Sequence, residues 1–263
     1  MKRILNIVFT ILLLAGVFVL LGFIRQEHST MVCVSQEIDL RYINQDTLIT
    51  KAEIRELIKE KLGAPEGRVL TAGDIAQIRD EILKTHYIEN CDIDLTLDGL
   101  LRIRAVQRVP AVKVMFGSEA WYVDNKGVVM SLSKNHPHRL LIINSDILQP
   151  DQLKPGINLQ MMAENMPVFR SSSLYQAVQV GLYIHDDDFL QSLIEQIFIN
   201  HNDELELYTH VGRQRILFGD GFEAENKLDR LVKFYRSEKA IQNLDLYKTI
   251  NLKYNKQVVC SKI

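Results

Sequence analysis

A chain of 263 residues leaves room for one large domain or two small ones. With 47% hydrophobic and 24% charged residues, six prolines and 13 glycines, it is neither collagen-like nor broadly disordered. Its 31 Lys+Arg against 33 Asp+Glu give a net charge of −2, which argues against DNA or RNA binding because no surplus of cations exists to release counterions from a phosphate backbone.

Residues 4–24 carry no charge, and only Asn6 and Thr10 are clearly polar. At about 1.5 Å per residue the run is about 31 Å long, which predicts a single N-terminal transmembrane helix. The rival reading, a cleaved signal peptide, fits less well: bulky Val17, Phe18, Val19, Leu20 and Leu21 continue past the small pair Ala15-Gly16. Lys2 and Arg3 precede the run, whereas Arg25 is soon matched by Glu27. The positive-inside rule then predicts a cytoplasmic stub at 1–3, a spacer at 25–31 and a body across the membrane. Without Lys2 and Arg3 that body is two charges more acidic than the whole chain.

The first folded segment, 32–107, reads as β-α-α-β-β. A strand at 32–43 precedes two helices. Thr50 and Glu53 have capping-box spacing, Ile49 and Ile54 staple spacing, and Ile54, Leu57, Ile58 and Leu62 form a stripe ending at Gly63. Thr71 with Asp74 and Leu70 with Ile75 repeat the pattern before Ile78, Ile82 and Leu83. Cys91, Ile93, Leu95 and Leu97 then alternate with polar residues, Asp98-Gly99 suggests a type I′ turn, and Leu101, Ile103 and Ala105 alternate with Arg102 and Arg104. This predicts a three-stranded sheet with two helices on one face.

From 108 to 263 the pattern is strand-rich: short strands at 111–116, 121–123, 128–132 and 140–143, a helix around Leu174, Ala177, Val178, Gly181 and Leu182, and a helix over 223–240. Residues 189–200 fit either helix or strand. A hairpin at 204–218 and β segments at 247–254 and 257–260 complete the chain. The predicted class is α+β: a transmembrane helix, then a small α+β domain, then a β domain with flanking helices.

Chemistry-bearing residues do not converge. His185-Asp186-Asp187-Asp188 lacks the spacing of a calcium loop and reads as a turn or helix start. His136-Pro137-His138 has no nearby Cys or acid and reads as an exposed loop. Ser171-Ser172-Ser173 lies in no nucleophile elbow and reads as a helix cap, and Gly219-Asp220-Gly221 lacks a following Lys-Ser/Thr. Cys33, Cys91 and Cys260 form no C-x-x-C; a Cys33 to Cys91 pair is possible, and three half-buried thiols on strands is the simpler reading. The residues predict no enzyme, metal or cofactor.

The order of these parts, together with three segments, resembles the FtsQ/DivIB cell-division proteins of bacteria. Leu101 to Val112, with Arg108-Val109-Pro110, resembles the family's second hairpin strand and R-x-P junction. Trp121-Tyr122-Val123-Asp124 with Gly127 resembles its Y-x-D-x-x-G turn, and Ile250 to Tyr254 followed by Gln257-Val258-Val259 its C-terminal "D-L-R-Y" strand. Gln107 departs from the acid many members carry. The resemblance implies a POTRA domain at 32–107, a β domain at 108–263, and a non-catalytic single-pass scaffold of the inner membrane, with its bulk periplasmic. Its partners would be FtsB/FtsL-type division proteins and other divisome membrane proteins. It places the FtsB contact by strand addition at the C-terminal edge, on Tyr254 and Lys256 and the neighbouring Leu252, Lys253, Asn255, Gln257, Val258 and Val259. The alternatives are a POTRA-type envelope chaperone and a membrane-anchored hydrolase.

Overall fold

The computed structural model describes residues 12–17, 31–43, 46–135, 139–145 and 153–263. The predicted transmembrane helix and the single-pass membrane placement drawn from it require correction: among the described residues no helix is long and apolar enough to cross a membrane. Of 4–24 only residues 12–17 are described, and they are helical. The rest of that run lies outside the described residues, as does His136-Pro137-His138.

The chain divides into two compact units, 1–41 with 49–107 and 42–48 with 108–263. In the first, β1 (Ser35–Arg41), α1 (Lys51–Leu62), α2 (Ala72–Leu83), β2 (Ile88–Leu95) and β3 (Leu100–Gln107) form a sheet of order β1-β3-β2 under two helices. β3 runs parallel to β1 and antiparallel to β2. Both helices start where the sequence predicts, because both capping boxes are made: Thr50 with Glu53 and Thr71 with Asp74 each satisfy two otherwise orphaned N–H groups. Ile54, Ile58, Ile78 and Ile82 face Ile38, Leu40, Leu101, Ile103 and Ala105, all buried. Gln107 has a packing reason for being neutral: it is buried, and its Oε1 accepts the Ile49 N–H at 3.3 Å.

The hairpin turn differs from expectation. Gly99 alone has a positive φ (+83°), so residues 97–99 form a three-residue connection rather than a type I′ turn, which needs two such residues. Thr96 drives the difference: its backbone N–H donates to Leu100 O at 3.0 Å, and its hydroxyl donates to the Asp98 carboxylate. Cys33 and Cys91 are free and buried, and burial pushes the Cys91 thiol up to about 11.

The second unit is built on a nine-stranded mixed sheet of order β12-β11-β10-β9-β8-β7-β4-β5-β6. Its strands are β4 (Pro110–Phe116), β5 (Glu119–Asp124), β6 (Val129–Met130), β7 (Leu141–Ser145), β8 (Ile194–Ile199), β9 (Leu205–Thr209), β10 (Arg215–Gly219), β11 (Tyr247–Asn251) and β12 (Val259–Lys262). Between β7 and β8 run α3 (Leu159–Asn165), α4 (Pro167–Arg170), α5 (Ser173–His185) and α6 (Asp188–Leu193); α7 (Ala224–Tyr235) and α8 (Glu238–Gln242) connect β10 to β11. One register row, Val114, Ile143, Ile197, Leu207, Ile216 and Ile250, is entirely buried on the helix side. The adjacent row, Lys113, Ile142, Gln196, Tyr208, Arg215 and Thr249, faces away and is mostly polar, the alternation of a sheet with one covered face.

The ambiguous stretch 189–200 is both things in turn: Asp187 caps α6, and β8 then takes over at Ile194. The helix predicted over 223–240 breaks after Tyr235.

Gly181 of α5 marks a close approach of helix to sheet. A Cβ there would lie 2.8 Å from Val112 Cγ1 and 3.3 Å from Leu141 Cδ2. Alanine gains about 1 kcal/mol of helix propensity over glycine, but overpacking a full core costs about 1–3 kcal/mol. Gly181→Ala therefore lowers the urea midpoint; an unchanged or higher midpoint would show that the helix can retreat freely.

Candidate functional site

An open sheet of nine strands has two edges, each with a row of backbone groups to satisfy. The β6 edge is occupied by the chain itself. Val129 N donates to Ile157 O at 2.8 Å, Gly156 N donates to Val129 O at 2.8 Å, and Leu159 N donates to Gly127 O at 2.8 Å. The turn that delivers β6 to this segment is fixed by Asp124, which is fully buried. Its Oδ1 accepts the Lys126 and Val128 N–H groups at 2.9 and 2.7 Å, and its Oδ2 accepts Arg108 Nη1 at 2.8 Å. Gly127 supplies the positive φ (+79°) that closes the turn. Arg108-Val109-Pro110 and Tyr122-Val123-Asp124 are thus two halves of one buried ion pair.

At the other end β12 pairs antiparallel with β11, and no strand lies beyond it among the described residues. The β11–β12 hairpin is held from three sides. Thr249 and Ser261 hydroxyls meet across the strands at 2.6 Å. Lys253 lies over Gly219, where a Cβ would come within 3.1 Å of its stem, and its Nζ reaches Glu204 at 2.8 and 3.0 Å. From α7, Arg230 Nη1 donates to the carbonyls of Tyr254 and Gln257, both at 2.5 Å, and Nη2 to that of Leu252 at 3.0 Å. Beside the hairpin lies a groove of about 450 Å³ walled by Phe222, Lys227, Arg230, Lys253 and Asn255.

The eight residues predicted for partner contact fall into three groups. Leu252 is fully buried in the core, and Val258 is half-buried against it. Lys253, Tyr254, Asn255, Lys256 and Gln257 are exposed, and β11 ends at Asn251, short of the predicted 254, before the bend and turn at 254–256. Val259, 40% exposed, opens the edge strand. Tyr254 is 52% exposed and not folded back into the core. Lys256 occupies the left-handed region (φ +59°), so a proline there would break the turn itself. Sequence reading missed Ser261, Lys262 and Arg230. The first two sit past the last motif residue, and Arg230 acts across 22 to 27 residues with no motif to announce it.

The other candidates resolve into structure. Asp187 and Ser172 are helix N-caps, and Asp220 accepts the buried Lys227 ammonium at 2.7 Å. His185 and Asp188 line a groove of about 740 Å³ with His210, which pairs with Glu195 at 3.2 Å. Among the described residues no three His, Cys, Asp or Glu side chains are grouped to hold a metal ion.

The family model described as FtsQ/DivIB, C-terminal related, matches residues 109–261, more than half of the chain. No curated protein matches. Among solved structures, POTRA1-2 of the periplasmic domain of Omp85 from Anabaena matches at 19% identity and a TM-score of 0.24, over 35% of this chain and 56% of that one. A score that low does not establish a shared fold.

A left-handed residue with a Cβ carries about 1 kcal/mol of strain that glycine lacks. Lys256→Gly is expected to hold or raise the melting temperature and Lys256→Pro to lower it; equal stabilities of the two would show that the turn is not built this way.

Proposed function

We propose that this chain, which belongs to the FtsQ/DivIB family by the match of residues 109–261, is a non-catalytic scaffold of bacterial cell division that holds an FtsB/FtsL-type partner by strand addition along β12. The observation that carries the reading is the asymmetry of the nine-stranded sheet: residues 156–159 bond to one edge, while among the described residues no strand pairs with the outer side of β12. An extended partner segment satisfies the free N–H and C=O groups, and its alternate side chains supply specificity against Val259 and the exposed Tyr254. The rival edges are β1 and β2 of the first unit, but Glu37 and Asp39 on β1 and Glu89, Asp92 and Asp94 on β2 set acids along them, a guard against pairing. A chaperone would need an edge tolerant of many sequences. The family match covers the unit that carries β12, and this favours a dedicated partner.

The test is a titration of the full chain with an FtsB/FtsL-type partner. Tyr254→Ala is expected to weaken binding about 30-fold, or about 2 kcal/mol, if the ring anchors the interface. In a proline scan of Val259–Lys262, the positions whose N–H points outward keep the β11 ladder and lose capture. If these variants fold normally and bind as the wild type does, the docking edge lies elsewhere.

A further inference from the structure

We propose that Arg230, on α7 and outside the edge, is the positioning residue that sets where β12 lies and so whether a partner strand can register on it. This rests on the reading of β12 as the docking edge. The argument begins with the number and kind of contacts. Through Nη1 and Nη2 one guanidinium reaches three carbonyls of the same short connection, those of Leu252, Tyr254 and Gln257, and through Nε the Asn226 carbonyl of its own helix at 3.3 Å. Among the described residues no carboxylate pairs with it, so its donors are spent on neutral backbone. The planar fork fixes the directions of those donors, and the connection is shaped to meet them.

That connection is the only covalent route from β11 to β12, and it contains the left-handed Lys256. β12 is short and, among the described residues, has a neighbouring strand on one side only, so the geometry of its entry bears on its alignment. The contacts to Tyr254 and Gln257 are at exposed positions, and those two carbonyls can turn to water when the fork is removed. Losing Arg230 thus disturbs the edge and not the core, which separates a positioning role from a merely structural one. Lysine keeps the charge but has a single ammonium, which cannot span three diverging carbonyls.

The experiment compares wild type, Arg230→Lys and Arg230→Ala as full chains. Expected are nearly unchanged melting temperatures, amide hydrogen exchange at 259–262 faster by about tenfold or more in both variants, and capture of an FtsB/FtsL-type partner weakened by a similar factor. A second arm pins β12 covalently: Thr249→Cys with Ser261→Cys, in a Cys260→Ser background, joins positions whose side-chain oxygens already meet at 2.6 Å. If Arg230 acts by position, the oxidised pair restores partner capture to Arg230→Ala, and reduction removes it again. Unchanged exchange at 259–262 overturns the proposal whatever the partner does. So does faster exchange with undiminished capture, or lost capture that the oxidised pair fails to restore. A wild-type chain that captures nothing overturns the docking reading itself, and is told apart by the exchange arm, which needs no partner.

Discussion

A sheet cannot simply stop: its last strand presents backbone donors and acceptors that water, another segment or another chain must satisfy. The second unit answers this differently at its two ends. At β6 the answer is internal and rigid. Asp124 is fully buried, and its two oxygens bind the Lys126 and Val128 N–H groups and Arg108, so the turn has one shape and presents Val129 to the segment 156–159. Leaving either charge of the pair without its partner would strand an ion in a dry site. At β12 no described strand lies beyond, and the described elements near it hold the strand in place.

The placement of helices follows from the same sheet. The β10 to β11 step is parallel, so the chain must cross over, and α7 makes that crossing on the buried face. The crossing puts Leu228 and Leu231 against the core while Arg230 stands beside the turn that ends β11. Its contact with the hairpin is therefore a consequence of topology: the element that connects the last parallel pair is the one adjacent to the connection that follows.

What could be read from the sequence was local. Both helix starts in the first unit were legible because a capping box needs only four residues, and the hairpin because alternation persists over β2 and β3. The turn between them was misjudged because Asp98-Gly99 scores as a two-residue turn until Thr96 is seen to bind both Leu100 and Asp98. Residues 189–200 had no single answer, since a helix capped by Asp187 hands over directly to a β-branched run. The C-terminal motif falls on the connection between β11 and β12 more than on the edge strand itself. Leu252 belongs to the core, and Ser261 and Lys262, outside the motif, lie on the edge. Arg230 was invisible because nothing within four residues of it requires an arginine. The apolar run at 4–24 suggested a span by composition alone, a criterion that the described residues do not meet.

An open edge is also a hazard, because identical edges can pair with each other. Here charge bears on the question. From Tyr247 to the end, the chain carries Lys248, Lys253, Lys256 and Lys262 and no acid, although the protein as a whole is slightly acidic. Among the described residues only Lys253 of these four is paired with a carboxylate, that of Glu204. Lys262 lies on the edge strand, Lys248 on β11, and Lys253 and Lys256 on the connection between them, so two copies meeting edge to edge would bring two sets of ammonium groups near each other, and like charges facing across strands destabilise the pairing. The lysines do not block the backbone, whose donors and acceptors stay available to a chain without that charge pattern. A strand blunted by a bulge or a proline would be closed to every partner alike; one guarded by charge is closed first of all to its own copy.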